Sequence, residues 1–312
     1  MIFLTRRCIV CGKPAIINIK YAHAAFCSEH FKKYYERRIL RTLKDTKFPG
    51  GKILVALSGG VDSVALLTAL TEICDELKSE VEAVHMNLGI YQNNFSSESM
   101  RTSNEVAKML NVKLHIIDLK QEIGYYIPEI ISKNGRNACS ICGLIRRYLL
   151  NKFAFEKGFD WLATGHNLDD VAAFYLKALA SQDIESIIRG LDVLTPPYHE
   201  FKLVGRIRPQ LYITKMENRA YVALKKAPIV EIACPLGKKA KLHKYVKAWN
   251  FLVNINPVSQ LNFVKSINIL RSKIVKSNIN LKKCKICGYP TTTTDSICAF
   301  CRLINKLKDK AK

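Results

Sequence analysis

Short apolar runs alternate with amphipathic stretches through the middle of the chain. KILVALS (52–58) is apolar at nearly every position and runs into a glycine turn, as a strand buried on both faces does. VDSVALLTALTEIC (61–74) follows with helical periodicity. The alternation continues as VEAVHMN (81–87) strand, SSESMRTSNEVAKML (96–110) helix, VKLHIID (112–118) strand, LIRRYLLNKFAFEKG (144–158) helix, WLATGHN (161–167) strand and LDDVAAFYLKALA (168–180) helix. Strands separated by helices predict an α/β fold, a doubly wound parallel sheet covered on both faces. Residues 190–212, with Pro196, Pro197 and Pro209, read as a loop. Thr214 and Glu217 form a capping-box pattern that opens a helix at KMENRAYVALKKA. Two more helical patterns occupy 238–252 and 257–277.

Charge narrows the partners. The 312 residues carry 49 Lys and Arg against 26 Asp and Glu, a net charge of +23. Such a surplus suits a polyanion, because basic side chains release counterions from phosphates. FKKYYERRILRTLK (31–44) and KKAKLHKYVK (238–247) are the candidate backbone contacts, with solvated helix faces as the alternative. No run of ~18 apolar residues could cross a membrane. The opening MIFLTRRCIVCGK has no long apolar segment of a signal peptide, so the expected location is the cytoplasm.

The eleven cysteines are clustered, which in a reducing compartment points to metals or chemistry rather than disulfides. Cys8, Cys11, Cys27 and His30 form C-x2-C-x15-C-x2-H, a full tetrahedral set for a structural Zn2+. Cys284, Cys287, Cys298 and Cys301 form a second, ribbon-like set, with Gly288-Tyr289-Pro290 turning the first knuckle. The domains expected are therefore an N-terminal finger (1–32), a catalytic domain with a helical C-terminal part (33–280) and a zinc ribbon (281–312). Cys74 closes a helix and is expected in the core.

SGGVDS (58–63) sits between a buried strand and a helix. Its backbone N–H groups and the helix dipole can cradle an anion, Gly59 and Gly60 permit close approach, and Ser58 and Ser63 can donate. Asp62 fixes the loop or a magnesium ion. The Gly-Lys-Ser of a Walker A loop is absent; the pattern is the PP-loop of ATP pyrophosphatases. ATGHNLDD (163–170) ends the fourth strand, where ligands meet doubly wound sheets. Gly165 is placed against a nucleotide, Asp169 as a helix cap, Asp170 as an acid–base or metal group, and His85 beside adenine. Cys139 and Cys142 in ACSICGLIRR, with Cys234 in IACPLG, make three thiolates. Three are too few to close a zinc site. They suit a [4Fe–4S] cluster with one open iron or a persulfide–disulfide relay, and inert buried thiols are the bland alternative.

SGGVDS, ACSICGLIRR, ATGHNLDD, IACPLG and CGYPTTTTDSICAFCR, with the N-terminal finger, together resemble the TtuA-type tRNA 2-thiouridine synthetases of the TtcA/TtuA group. The similarity runs from Cys8 to Arg302. It implies an adenine nucleotide alpha hydrolase-like fold and an enzyme, a tRNA sulfurtransferase, that uses ATP and Mg2+ to adenylate the C2 oxygen of a tRNA uridine. Sulfur then displaces AMP, most characteristically on the T-loop ribothymidine. The resemblance further implies a [4Fe–4S] cluster on Cys139, Cys142 and Cys234, nucleotide contacts from the PP-loop, Ala56, His85 and Gly165, a ubiquitin-like thiocarboxylate carrier as sulfur donor, and a homodimer. Two positions depart from the family pattern. Val61 stands for a usual lysine, and Arg146 stands for a catalytic lysine four residues after Cys142. Arginine keeps the charge but does not exchange protons near neutral pH, which favours an electrostatic role. Asp170 matches the active-site aspartate; the glutamate that usually follows it is Val171. A wobble-uridine thiolase and a TtcA-type cytidine thiolase are the neighbouring readings. A tRNA lysidine synthetase shares the PP-loop but needs no cysteine triad, and a non-enzymatic zinc-dependent RNA-binding protein is the reading from another class.

Overall fold

The computed structural model describes residues 6–134, 137–237, 242–274 and 281–309. A hairpin of β1 (Ile17–Ile19) and β2 (Ala24–Phe26) leads into α1 (Ser28–Lys44). Then come β3 (Gly51–Ala56), α2 (Val61–Glu72), β4 (Ser79–Asn87), α3 (Phe95–Met109), β5 (Leu114–Asp118), α4 (Leu119–Ile123), α5 (Ile127–Asn134), α6 (Ala138–Glu156), β6 (Trp161–Ala163), α7 (Leu168–Ala180) and α8 (Ile184–Arg189). The chain continues with β7 (Leu194–Thr195), β8 (Gly205–Ile207), α9 (Lys215–Lys225), α10 (Leu242–Ile255), α11 (Ser259–Lys273), the pair β9 (Lys282–Lys283) and β10 (Pro290–Thr291), and α12 (Ala299–Asp309).

Six strands form the main sheet in the order β5-β4-β3-β6-β8-β7, all parallel except β7. From β3 the chain builds outward to β4 and β5, then returns to add β6 on the other side of β3. The crevice at the carboxyl ends of β3 and β6 is thus a topological switch point.

Alternation along the strands separates two apolar layers. Val55, Ala163 and Ile207 face one side, packing with α1, α2, α7 and α9; Leu54 and Leu162 face the other, packing with α5, α6 and α12. The terminal modules belong to these layers. Cys8, Ile19 and Phe26 join the first, and Cys284, Cys298, Phe300 and Leu307 the second. α1 starts at the first ligand set and runs unbroken to Lys44, so no linker intervenes at residue 32.

Several elements differ from the pattern-based expectation. The segment 190–212, read as a loop, holds β7 and β8, which are too short to show period-2 alternation among three prolines. The helix expected from Leu144 begins six residues earlier, because Asn137 caps it with its side chain at the backbone N–H of Cys139. β6 spans three residues and the chain beyond it is a turn. Cys74 lies just beyond α2 and is half-buried, outside both apolar layers. The Thr214–Glu217 capping box is present. Residues 238–241 and 275–280, parts of two expected helices and of one basic run, lie outside the described residues.

Candidate active site

β3 delivers the chain to the PP-loop with buried Ile53, Leu54 and Val55 behind it. No side chain caps α2, so its first N–H groups remain available to an anion. The Ser63 hydroxyl donates to the Gly60 carbonyl at 2.9 Å and accepts from the Ser58 N–H at 3.1 Å, while the two serine hydroxyls lie 3.1 Å apart. The serines therefore hold the turn in shape as well as offering donors. Gly59 has φ +76°, and a Cβ there would approach Val230 to 3.0 Å and the Ser99 carbonyl to 3.1 Å. Only glycine fits the conformation and the space. Asp62 accepts from the Asn218 side chain at 2.8 Å and lies 3.7 Å from the Lys215 ammonium. Asn218 in turn accepts from the buried Tyr35 hydroxyl at 2.6 Å, and Gln210 donates to Tyr35 and to the Asp62 carbonyl.

Beside the loop is a pocket of about 60 Å³ between β3, β4 and α3, lined by Ala56, Val84, His85, Met86, Phe95 and Ser99 among others. His85 Nδ1 is 3.0 Å from the Leu57 carbonyl and 2.9 Å from the Ser103 hydroxyl. A carbonyl only accepts, so the proton sits on Nδ1 and Nε2 is an acceptor. Burial lowers the His85 pKa to about 4, keeping the ring neutral. Nε2 and the Ser99 hydroxyl are buried without a partner among the described residues. Two unpartnered polar atoms in a mainly apolar pocket suit a heteroaromatic base with an amino edge.

The slot opens into a cleft of about 420 Å³, with which it shares Ala56, Ser58, Arg146 and Leu150. Asp62 and Ser63 line the cleft from the PP-loop, Gly143, Arg146 and Arg147 from α6, Thr164, Gly165 and His166 from the turn after β6, and Asp170 from α7. Arg206 and Arg208 complete it at β8. Gly165 is needed for a reason beyond ligand contact: a Cβ there would stand 3.0 Å from the Asp62 carbonyl carbon and oxygen, pressing on the PP-loop backbone.

α6 carries its functional side chains at helical spacing. Cys139, Cys142, Gly143, Arg146 and Leu150 stand at i, i+3, i+4, i+7 and i+11 and form one stripe. Arg146 stands one turn from Cys142, and its positive charge acts on that thiol. Burial and then the neighbouring Cys234 raise the pKa of Cys139; burial raises that of Cys142 while Arg146 opposes it. Cys234 lies in the segment before the short turn Pro235–Gly237, close enough for its charge to act on both Cys139 and Cys142. Among the described residues the three thiols do not form one of the tight ligand sets. Thiolates on separate corners of a four-iron cube stand farther apart than four on one ion, so this looser triad, at a helix N-terminus that favours negative sulfur, fits the larger group.

The helix after Gly165 is capped by Asn167, whose side chain accepts from the Asp170 N–H at 3.0 Å. This corrects the expectation for Asp169. Its carboxylate instead accepts from the Lys215 N–H at 2.7 Å and pins α9. Burial, reinforced by Asp62, raises the Asp170 pKa from 3.8 to about 6. The basic run on α1 also divides. Lys33, Arg37, Arg41 and Lys44 are exposed along one stripe. Arg38 is instead locked 2.7 Å from Glu217, which is fully buried, and takes no part in that face.

At the ends, Cys8, Cys11, Cys27 and His30, and separately Cys284, Cys287, Cys298 and Cys301, have their ligand atoms within 4.8 Å of one another. Separations of 3.7 Å for Cys11–Cys27 and 3.6 Å for Cys287–Cys298 are near the ~3.8 Å edge that Zn–S bonds of ~2.3 Å give a tetrahedron. Tyr148 on α6 stacks on Phe300 of the C-terminal module, with centroids 3.6 Å apart.

Residues 31–232 match the PP-loop domain family, and residues 7–32 match the N-terminal LIM domain of 2-thiouridine synthetase TtuA. The chain is 36% identical over 311 residues to a tRNA-5-methyluridine(54) 2-sulfurtransferase of Thermotoga maritima, covering 97% of this chain and 99% of that one. It is 34% identical to the protein of the same name from Pyrococcus horikoshii, covering 95% and 93%. The chain belongs to the TtuA-type tRNA sulfurtransferases. Among solved structures it is similar to the U34-tRNA thiolase NcsA from Methanococcus maripaludis with its [4Fe–4S] cluster, at TM-score 0.84, 27% identity and 97% coverage of both chains.

Sequence reasoning passed over four basic lining residues, Arg147, His166, Arg206 and Arg208, along with neutral ones such as Gly143 and Thr164. The one signal was the alternation in Gly205-Arg206-Ile207-Arg208, which puts both arginines on one face of a strand.

Proposed function

We propose that the protein replaces the C2 oxygen of the T-loop ribothymidine of tRNA with sulfur, in an ATP-dependent reaction that releases AMP and pyrophosphate. The observation that carries this is the cleft that joins the PP-loop to the apolar slot, walled by Gly143 and Arg146 of the same α6 stripe that bears Cys139 and Cys142. The relatives named for 5-methyluridine(54) support the choice of uridine.

In the first half, adenine enters the slot and its amino group donates to His85 Nε2. The phosphates lie on the α2 N-terminus, and Asp62 would hold Mg2+ beside them. The uridine C2 oxygen attacks the α-phosphorus and the bond to the β-phosphate oxygen breaks. The N3 proton must leave as C2–O becomes a phosphate ester, and the Asp170 carboxylate accepts it. Arg146 stabilises the oxyanion character of the transferred group. In the second half, hydrosulfide sulfur bonds to C2, the C2–O bond breaks and AMP departs; Asp170 returns its proton to N3 and the sulfur proton is released to solvent, leaving the thione and the ionised carboxylate. That sulfur would come from the thiocarboxylate of a ubiquitin-like carrier. Cys139, Cys142 and Cys234 would hold a [4Fe–4S] cluster, which supplies one iron free of protein ligands as a site for sulfide. Both terminal sets hold Zn2+, the exposed α1 stripe follows the RNA backbone, and the working form is a homodimer. No described helix is long and apolar enough to cross a membrane.

The test is an anaerobic reaction with reconstituted protein, ATP, sulfide and tRNA that carries the 5-methyl group but no 2-thio group, read as AMP release and by mass spectrometry of the nucleosides. A 2-thioribothymidine product is expected. Thiolation confined to the wobble uridine would reject the T-loop assignment, and tRNA binding without AMP would reject the enzyme.

A further inference from the structure

The mechanism above leaves the β8 end of the cleft unused. There Arg206 and Arg208 project from the strand, and Arg147 faces them from α6. Arg208 is 8% exposed; one guanidinium nitrogen donates to the Asp192 carbonyl at 2.8 Å and to Thr195 at 3.3 Å. Its Nε has no partner. The nearby Asp192 carboxylate is engaged by Arg271 at 3.1 Å. Arg206 is half-buried and has neither a hydrogen-bond nor an ion-pair partner among the described residues. Burial, and then the charge of a neighbouring arginine, disfavours the charged form of both: Arg147 acts on Arg206, and Arg206 on Arg208. Like charges gathered in a concave, partly dry wall are costly unless an anion joins them. Guanidinium forks match the oxygen geometry of phosphate.

We propose that Arg206 and Arg208, with Arg147 opposite, form a second phosphate subsite, separate from the PP-loop, that holds a phosphoryl group of one of the two substrates. The group is either the pyrophosphate end of ATP or a phosphodiester of the RNA strand beside the target nucleotide. This rests on the adenylation reading for its choice of ligands. Its test reads binding alone, so a wild-type protein that binds these anions but forms no AMP would reject that reading and not the subsite.

Arg206→Gln is the informative variant, since Arg206 supports no protein contact, and Arg206→Lys restores the charge. Thermal melting verifies that both remain folded. One arm measures inorganic pyrophosphate and an α,β-methylene ATP analogue by calorimetry. The other measures tRNA by fluorescence anisotropy across a salt series. Arg206→Gln should weaken one probe about tenfold, as loss of a charge-assisted contact does, and Arg206→Lys should recover much of it. A weakened nucleotide arm identifies the pyrophosphate group. A weakened RNA arm, with the salt slope reduced by about 0.7 to 0.9 for one phosphate, identifies the phosphodiester. Binding of all probes within twofold of wild type overturns the proposal. So does a loss that Arg206→Lys leaves unrelieved, which would mark a packing role.

Discussion

Asp170 ties stability and activity to one proton. Its carboxyl is held at a pKa of about 6 against an ordinary 3.8, with burial as the main cause and the Asp62 charge next. The difference of ~2 units corresponds to at most about 3 kcal/mol at 1.36 kcal/mol per unit. Below pH 4 folded and unfolded chains both carry the proton, so Asp170→Asn and wild type should be equally stable with respect to this site. Between pH 4 and 6 the unfolded carboxyl ionises first, and wild type loses stability relative to the variant. Above pH 6 the whole penalty applies. Asp170→Asn should therefore melt several degrees above wild type at pH 7.5 and converge with it near pH 4. Activity runs the other way: kcat/KM for AMP formation should rise through pH ~6 as the base form appears. Asp170→Asn should lose about 10²- to 10⁴-fold, with no inflection there. Differential scanning fluorimetry and an AMP assay from pH 4 to 8 measure both. A variant that keeps the inflection and most of the rate would refute the assignment of Asp170 as the base, whatever its melting point.

Other expected outcomes follow from the same geometry. Anaerobically prepared protein should absorb near ~400 nm, and Cys234→Ala should lose that band and thiolation while metal analysis still finds both zinc ions. Gly165→Ala should push the PP-loop backbone by a few tenths of an ångström, given the 3.0 Å approach to Asp62. The result should be about tenfold weaker ATP binding in calorimetry, since small misplacements at a reacting site are costly; unchanged affinity would show that the loop absorbs the methyl. Cys301→Ala should release one zinc, lower the melting temperature and cut thiolation, because the C-terminal module packs on α6 through Phe300 and Tyr148; normal thiolation with one zinc missing would show that α6 stands without it.

What was legible in the chain was whatever is written in contiguous residues. The strand–turn–helix around Gly59 and Gly60, the two zinc-type ligand sets and the Cys139–Cys142 pair announce themselves by spacing. What stayed hidden depends on partners far along the chain. Arg38 reads as a surface cation until Glu217, 179 residues away, is seen to bind it. Asp169 reads as a cap because Asn167, two residues earlier, offers the same chemistry and wins. The β8 arginines left only a brief alternation, because three residues are too few to declare a strand, and pairing with β6 is what makes them one.

The stripe on α6 has a last consequence, for chain length rather than chemistry. Each residue of an α-helix turns the chain by ~100°. Inserting one residue between Cys142 and Arg146 would swing the guanidinium a quarter-turn off the cleft while every catalytic side chain remained in the sequence. Substitution of Leu144 or Ile145 by another aliphatic residue, in contrast, preserves the phase. The quantity to hold fixed when redesigning this enzyme, or when judging whether a divergent chain retains its chemistry, is the angular register from Cys139 to Arg146.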